Sequence, residues 1–111
     1  METSVDRRGD VIIVHISGSM DGLTAEDLQH VFSSEMEAGR RDLVADLGAV
    51  DYTSSAGLRV LLGTMKHARS HDGDLRLARP RPEVLKVLKL SGFTRILMVF
   101  DTVDDAVASF G

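Results

Sequence analysis

The apolar positions of this chain fall into short runs of two different periods. Val11–Ile12–Ile13–Val14–His15–Ile16 is β-branched and almost unbroken, the pattern of a strand buried on both faces. Arg7–Arg8–Gly9–Asp10 reads as a turn before it, with Glu2 to Asp6 as the other arm of a hairpin. Gly18 is expected to end the strand. Leu28, Val31 and Phe32 then recur at helical spacing. They predict a helix from Ala25 to Glu37, opened by Thr24 with Asp27 and stopped by Gly39. Leu43–Val44–Ala45–Asp46–Leu47 predicts a second buried strand, in which the aspartate is out of place. Gly48 to Ser54 reads as a loop.

Leu58, Leu61, Leu62 and Met65 mark one face of a helix that starts near Ser55 and ends before Gly73. Leu75 and Leu77 alternate with Asp74 and Arg76 as a strand. Pro80 and Pro82 stand where a further helix begins, and Val84, Leu85 and Leu88 carry it toward Gly92. Ile96 to Phe100 predicts a last strand. Val103, Ala106, Val107 and Phe110 predict a short amphipathic helix. Strands followed by helix–strand repeats imply an α/β fold, a mixed, mainly parallel sheet of four to five strands covered by about four helices. No linker, low-complexity tract or internal repeat interrupts residues 1–111, which read as a single domain.

Composition narrows the function. The formal net charge is −4, there is no tryptophan and only one tyrosine. Such a chain offers neither the basic surface nor the stacking platforms of a nucleic-acid binder. The absence of cysteine removes disulfides and thiolate metal sites. No apolar run approaches the roughly 20 residues that cross a bilayer, and the first ten residues are polar. A cytoplasmic protein without membrane insertion is expected.

The segment with the most chemistry is Asp51–Tyr52–Thr53–Ser54–Ser55–Ala56–Gly57–Leu58. Three consecutive hydroxyl residues lie between a buried strand and an amphipathic helix, where sites gather in parallel α/β sheets. A serine there faces the unpaired N–H groups of the helix start. A phosphate on it would be held by those donors and the helix dipole, by about 0.3–1 kcal/mol. It would also add about −1.5 to −2 charge beside Asp51, Asp21 and Asp46, which a packed partner would not tolerate. On residue type alone an ordinary N-cap is the commoner role for Ser54 or Ser55 and a solvated position the commoner one for Arg59, while Asp21 is equally a turn residue.

The stretch Asp51 to Gly63, DYTSSAGLRVLLG, resembles the signature loop and helix of bacterial anti-sigma-factor antagonists of the STAS domain family. Gly18–Ser19–Met20–Asp21–Gly22–Leu23–Thr24–Ala25 is similar to the family's stretch ahead of the first helix. Asp46–Leu47 resembles the end of its second buried strand, and Leu90–Ser91–Gly92–Phe93 the stretch after its third helix. Anchored on Gly57 and Leu58, the resemblance puts the phosphorylated serine at Ser55. The family's preceding aspartate falls on Ser54, which makes Ser54 the alternative acceptor.

The resemblance implies a module that binds an anti-sigma-factor serine kinase and releases the sigma factor. It implies inactivation by phosphorylation at Ser55 and resetting by a serine/threonine phosphatase. The partner surface it implies comprises Asp21, Thr24, Thr53, Ser54, Ser55, Gly57, Leu58 and Arg59. A different reading of the same family is a non-enzymatic STAS subunit of a lipid-transport or signalling assembly.

An enzyme is not expected. His67 lies about 18 Å from Ser55 along one helix, and no Gly-x-Ser-x-Gly elbow surrounds the serine. His15 reads as a core histidine and His30 belongs to another helix. His67 and His71 share a helix face but lack an evident third metal ligand. Neither nucleotide-binding glycine fingerprint is present. No metal or cofactor is expected.

Overall fold

The computed structural model describes residues 1–111. Strand β1 (Glu2–Arg8) turns at Gly9, whose φ is +60°, into strand β2 (Val11–Met20). Helix α1 (Ala25–Glu37), strand β3 (Asp42–Thr53), helix α2 (Ser55–Ser70) and strand β4 (Asp74–Ala78) follow. Helix α3 (Pro82–Leu90), a 3-10 turn over Phe93–Arg95, strand β5 (Val99–Phe100) and helix α4 (Val103–Ala108) complete the chain. The sheet order is β1-β2-β3-β4-β5; β1 pairs antiparallel with β2 and every later pair is parallel.

This order decides which face each helix covers. The parallel strands advance across the sheet in one direction, and right-handed crossovers then put every connecting helix on the same side. Accordingly Leu28 and Phe32 of α1, Leu58 and Leu61 of α2, and Val84 and Leu88 of α3 share one core with Ile12, Val14, Leu43, Ala45, Leu75 and Leu77. The opposite face holds the smaller cluster of Val11, Ile13, Val44 and Ala78, covered by Ala106 of α4. Alternation along the strands sends odd and even residues to different faces.

The sequence places α1 and α2 correctly, but three readings need correction. Gly18 does not end β2. With φ +88° it sits in an irregular stretch of the β2–β3 ladder, and the strand continues to Met20. The Gly48–Ser54 segment is not a loop, because β3 runs on through Thr53, paired with the second half of β2. The last strand is only Val99–Phe100, since the N–H groups of Ile96 and Leu97 donate back to the Phe93 carbonyl and close the 3-10 turn. Thr24 also differs from the expected cap. It makes no side-chain cap bond to α1, and its hydroxyl instead donates to the Ser19 carbonyl at 2.8 Å.

Inside α2, Thr64 is fully buried and its Oγ1 has no hydrogen-bond partner. A buried unpaired hydroxyl carries a desolvation penalty of about 1–3 kcal/mol, and Val has a helix propensity close to that of Thr. Thr64→Val is therefore expected to stabilise the fold by about 1 kcal/mol, read as a higher urea midpoint at unchanged slope.

Candidate functional site

The C-terminal ends of β2 and β3 lie side by side, Met20 opposite Thr53, and both lead directly into a helix or turn. The Ser54 N–H donates to the Met20 carbonyl at 2.9 Å, tying the start of α2 to the end of β2. Gly57 makes this approach feasible. A Cβ there would stand 2.7 Å from the Met20 carbonyl oxygen and 2.7 Å from Thr53 Oγ1. The signature glycine is thus required by contact rather than by backbone angle.

Ser54 is the N-cap residue of α2, extended at φ −100° and ψ 177°, and its side chain makes no cap bond. Ser55 is the first helical residue and is exposed. The N–H groups of Ser55, Ala56 and Gly57 meet no intrahelical acceptor, as at any helix start. The ordinary N-cap reading of the hydroxyls therefore does not describe this helix. Of the two candidate acceptors, Ser55 stands further into solvent, with Ser54 half-buried.

The neighbouring turn is built around Asp21. Its Oδ1 accepts from the N–H of Leu23 at 2.9 Å and of Thr24 at 3.2 Å, while its own N–H donates to Thr24 Oγ1 at 2.9 Å. Asp21 is the turn residue of this loop, and its carboxylate is largely occupied. The turn projects Leu23 outward, 93% exposed. Tyr52, paired in register with Ser19, is 55% exposed at the same end of the sheet. Sequence reasoning passed over both. The signal was a large apolar side chain in otherwise polar surroundings, at the strand ends where sites form. Arg59 is exposed on the first turns of α2, whereas Thr53, Gly57 and Leu58 are buried beneath the surface.

The acidic patch expected beside Ser55 is smaller than the sequence implies. Asp51 is ion-paired with Arg81 at 2.9 Å. Asp46 lies on the other face of the sheet, in register with Ala78 of the α4-side cluster. There it is almost fully buried, and Arg79 grips it with Nε 2.7 Å from Oδ1 and Nη2 3.0 Å from Oδ2. The Gly48 N–H donates to Oδ1 at 3.0 Å. His15 completes the network, with Nδ1 2.6 Å from Asp46 and Nε2 2.7 Å from Asp6.

This arrangement explains the aspartate that looked misplaced in a buried strand. Burial is the largest influence on Asp46 and favours its neutral form. The hydrogen bonds from Arg79, Gly48 and His15 together outweigh burial and hold its pKa below the ordinary carboxylate value. For His15 too, burial is the largest influence and opposes protonation, yet the hydrogen bonds and charges of Asp46 and Asp6 prevail and raise its pKa. Carboxylates only accept, so these two contacts favour the imidazolium form, which can donate from both ring nitrogens. His67 and His71 lie at the far end of α2, stacked at 4.8 Å, and His30 is exposed on α1. None of the four histidines is brought to Ser55.

The five-stranded mixed sheet covered by helices is the fold of a known family. The chain belongs to the STAS domain family, whose model matches residues 2–106. A Bordetella bronchiseptica protein that carries the provisional name anti-sigma factor antagonist BtrV is 36% identical over 110 residues, covering 99% of this chain and 95% of its own. A crystal structure of an anti-sigma factor antagonist from Mycobacterium paratuberculosis superposes with a TM-score of 0.89 at 27% identity, covering 97% of this chain and 92% of that one. A Thermotoga maritima structure matches with a TM-score of 0.91 at 24% identity over 96% of this chain and 92% of its own, a likeness of fold. No helix is long and apolar enough to cross a membrane.

Proposed function

We propose that the protein is an anti-sigma-factor antagonist, a cytoplasmic binding module switched by phosphorylation at Ser55. The observation that carries this reading is the Ser55 hydroxyl itself. It is exposed at the first position of α2, next to free backbone N–H groups and at the same end of the sheet as two protruding apolar side chains, Leu23 and Tyr52. The names of BtrV and of the Mycobacterium paratuberculosis protein support it.

In this reading the unmodified protein docks an anti-sigma-factor serine kinase over Asp21, Thr24, Ser54, Ser55 and Arg59, with Leu23 and Tyr52 entering apolar recesses. Buried Thr53, Gly57 and Leu58 hold that surface in place and do not touch the partner. Docking displaces the sigma factor from the kinase. The kinase transfers the terminal phosphoryl group of ATP to Ser55 Oγ, and the hydroxyl proton leaves. The resulting dianion is accommodated by the helix start but not by the docked partner, so the complex separates. A serine/threonine phosphatase restores the hydroxyl. The protein is the ligand and substrate in this cycle, not the catalyst.

The test compares Ser55→Asp with Ser55→Ala in a binding assay against the cognate kinase. Ser55→Ala is expected to bind as the parent does, and Ser55→Asp at least about tenfold more weakly, the effect of a buried uncompensated charge at an interface. Equal affinities for the two variants, or phosphate located by mass spectrometry away from Ser54 and Ser55, would reject the switch.

A further inference from the structure

We propose that a cleft at the opposite end of the molecule binds a small phosphorylated ligand. The cleft has a volume of about 430 Å³, within the range of about 300–1,000 Å³ typical of small-molecule sites. The Gly39–Arg41 turn forms one wall and the C-terminal end of α2 the other, with Met36 and Ala68 at its floor. It is independent of the Ser55 surface. His71 follows the last turn of α2, about 24 Å from Ser55 at the helical rise.

The charge lining the cleft is unusual for a chain of net −4. Arg40 and Arg41 both face it, and neither guanidinium takes part in an ion pair. Arg41 reaches across the opening, its Nη1 3.4 Å from the His71 carbonyl. Asp72 lines the same cleft, and Asp10 and Asp42 share a neighbouring shelf with the two arginines. These acids leave both guanidinium forks without a carboxylate partner.

The opposite wall adds titratable donors. His67 and His71 stack with centroids 4.8 Å apart, and His71 Nδ1 donates to the His67 carbonyl at 3.0 Å. His71 Nδ1 also lies 3.0 Å from Ser70 Oγ, so Nε2 is the ring nitrogen without a partner in the chain. Two planar forks opposite two imidazoles suit a phosphoryl group, whose oxygens accept several charge-assisted hydrogen bonds.

Titration of the full chain with inorganic pyrophosphate, followed by amide NMR shifts, tests this. Saturable shifts confined to residues 39–41 and 67–72 are expected. Arg40→Gln with Arg41→Gln should weaken binding about tenfold or more, the loss expected when charge-assisted bonds to an anion are removed. Ser55→Asp should leave it unchanged. Shifts scattered over the surface, no saturation, or an affinity indifferent to both arginines would overturn the assignment.

Discussion

Asp46→Ala is expected to lower stability by about 2–4 kcal/mol, although it removes a charge from the interior. The alanine leaves the Gly48 N–H and the guanidinium of Arg79 without their acceptor, and His15 without one of its two carboxylates. Arg79 and His15 keep some access to water, which holds the loss toward the lower end for a broken buried pair. Arg79 also adopts φ +43°, a left-handed conformation that costs a non-glycine residue about 1–2 kcal/mol and that the bidentate grip sustains. Urea unfolding at pH 6 measures the difference.

The pH profile carries a second signature of the same network. The folded pKa of Asp46 is depressed, so its contribution is present above the unfolded value near 3.8 and is lost as pH falls through the folded value. The folded pKa of His15 is raised, so its contribution is complete below the unfolded value of 6.5 and is lost as pH rises through the folded value. The network is therefore strongest between those limits. His15→Gln should flatten the alkaline limb and keep most of the acid limb, which the Arg79 and Gly48 hydrogen bonds to Asp46 sustain. An unchanged alkaline limb in that variant would contradict the imidazolium assignment.

Gly57→Val is expected to cost about 3 kcal/mol, the upper range for overpacking, and to abolish partner binding. The added Cβ meets the Met20 carbonyl oxygen and Thr53 Oγ1 at 2.7 Å and Met20 Cβ at 2.8 Å. None of these is the free end of a flexible side chain, so α2 must tilt away from the end of β2. Ser55 moves with it. Gly63 provides the internal contrast on the same helix, because a Cβ there meets nothing within 4 Å. Gly63→Ala should stabilise by about 0.5–1 kcal/mol through helix propensity and a less flexible unfolded chain. Thermal melts of the two variants should move in opposite directions. A Gly57→Val protein as stable as the parent would show that the strand–helix approach is looser than these distances indicate.

What the sequence reveals follows from how local each signal is. The period of Leu28, Val31 and Phe32 and the stop at Gly39 place α1 correctly, since capping and periodicity act within a few residues. The second half of β3 was missed because Gly48, Asp51 and three hydroxyl residues carry no strand pattern. That half is extended because Ser17 to Met20 of β2 pairs with it, a decision made by partner rather than propensity. Asp46 was visible as an anomaly, but His15 lies 31 residues before it and Arg79 33 after. No spacing rule links three such positions. At the candidate site, Ser55 was legible from the motif. The absence of a cap bond from Ser54, and the exposure of Leu23 and Tyr52 at the same end of the sheet, required coordinates.

The strand order has a consequence for how the chain reaches this state. Because β1 to β5 lie in the sheet in the order they occur along the polypeptide, no strand must slip between two neighbours that are already joined. Each new β-strand adds to an open edge, bringing its preceding helix onto the same growing core. Loop closures stay short, which favours the faster part of the range for mixed α/β folds. The architecture thus permits assembly by accretion from the amino-terminal hairpin outward, in step with synthesis, with the serine-bearing helix docked before the last strand and helix emerge.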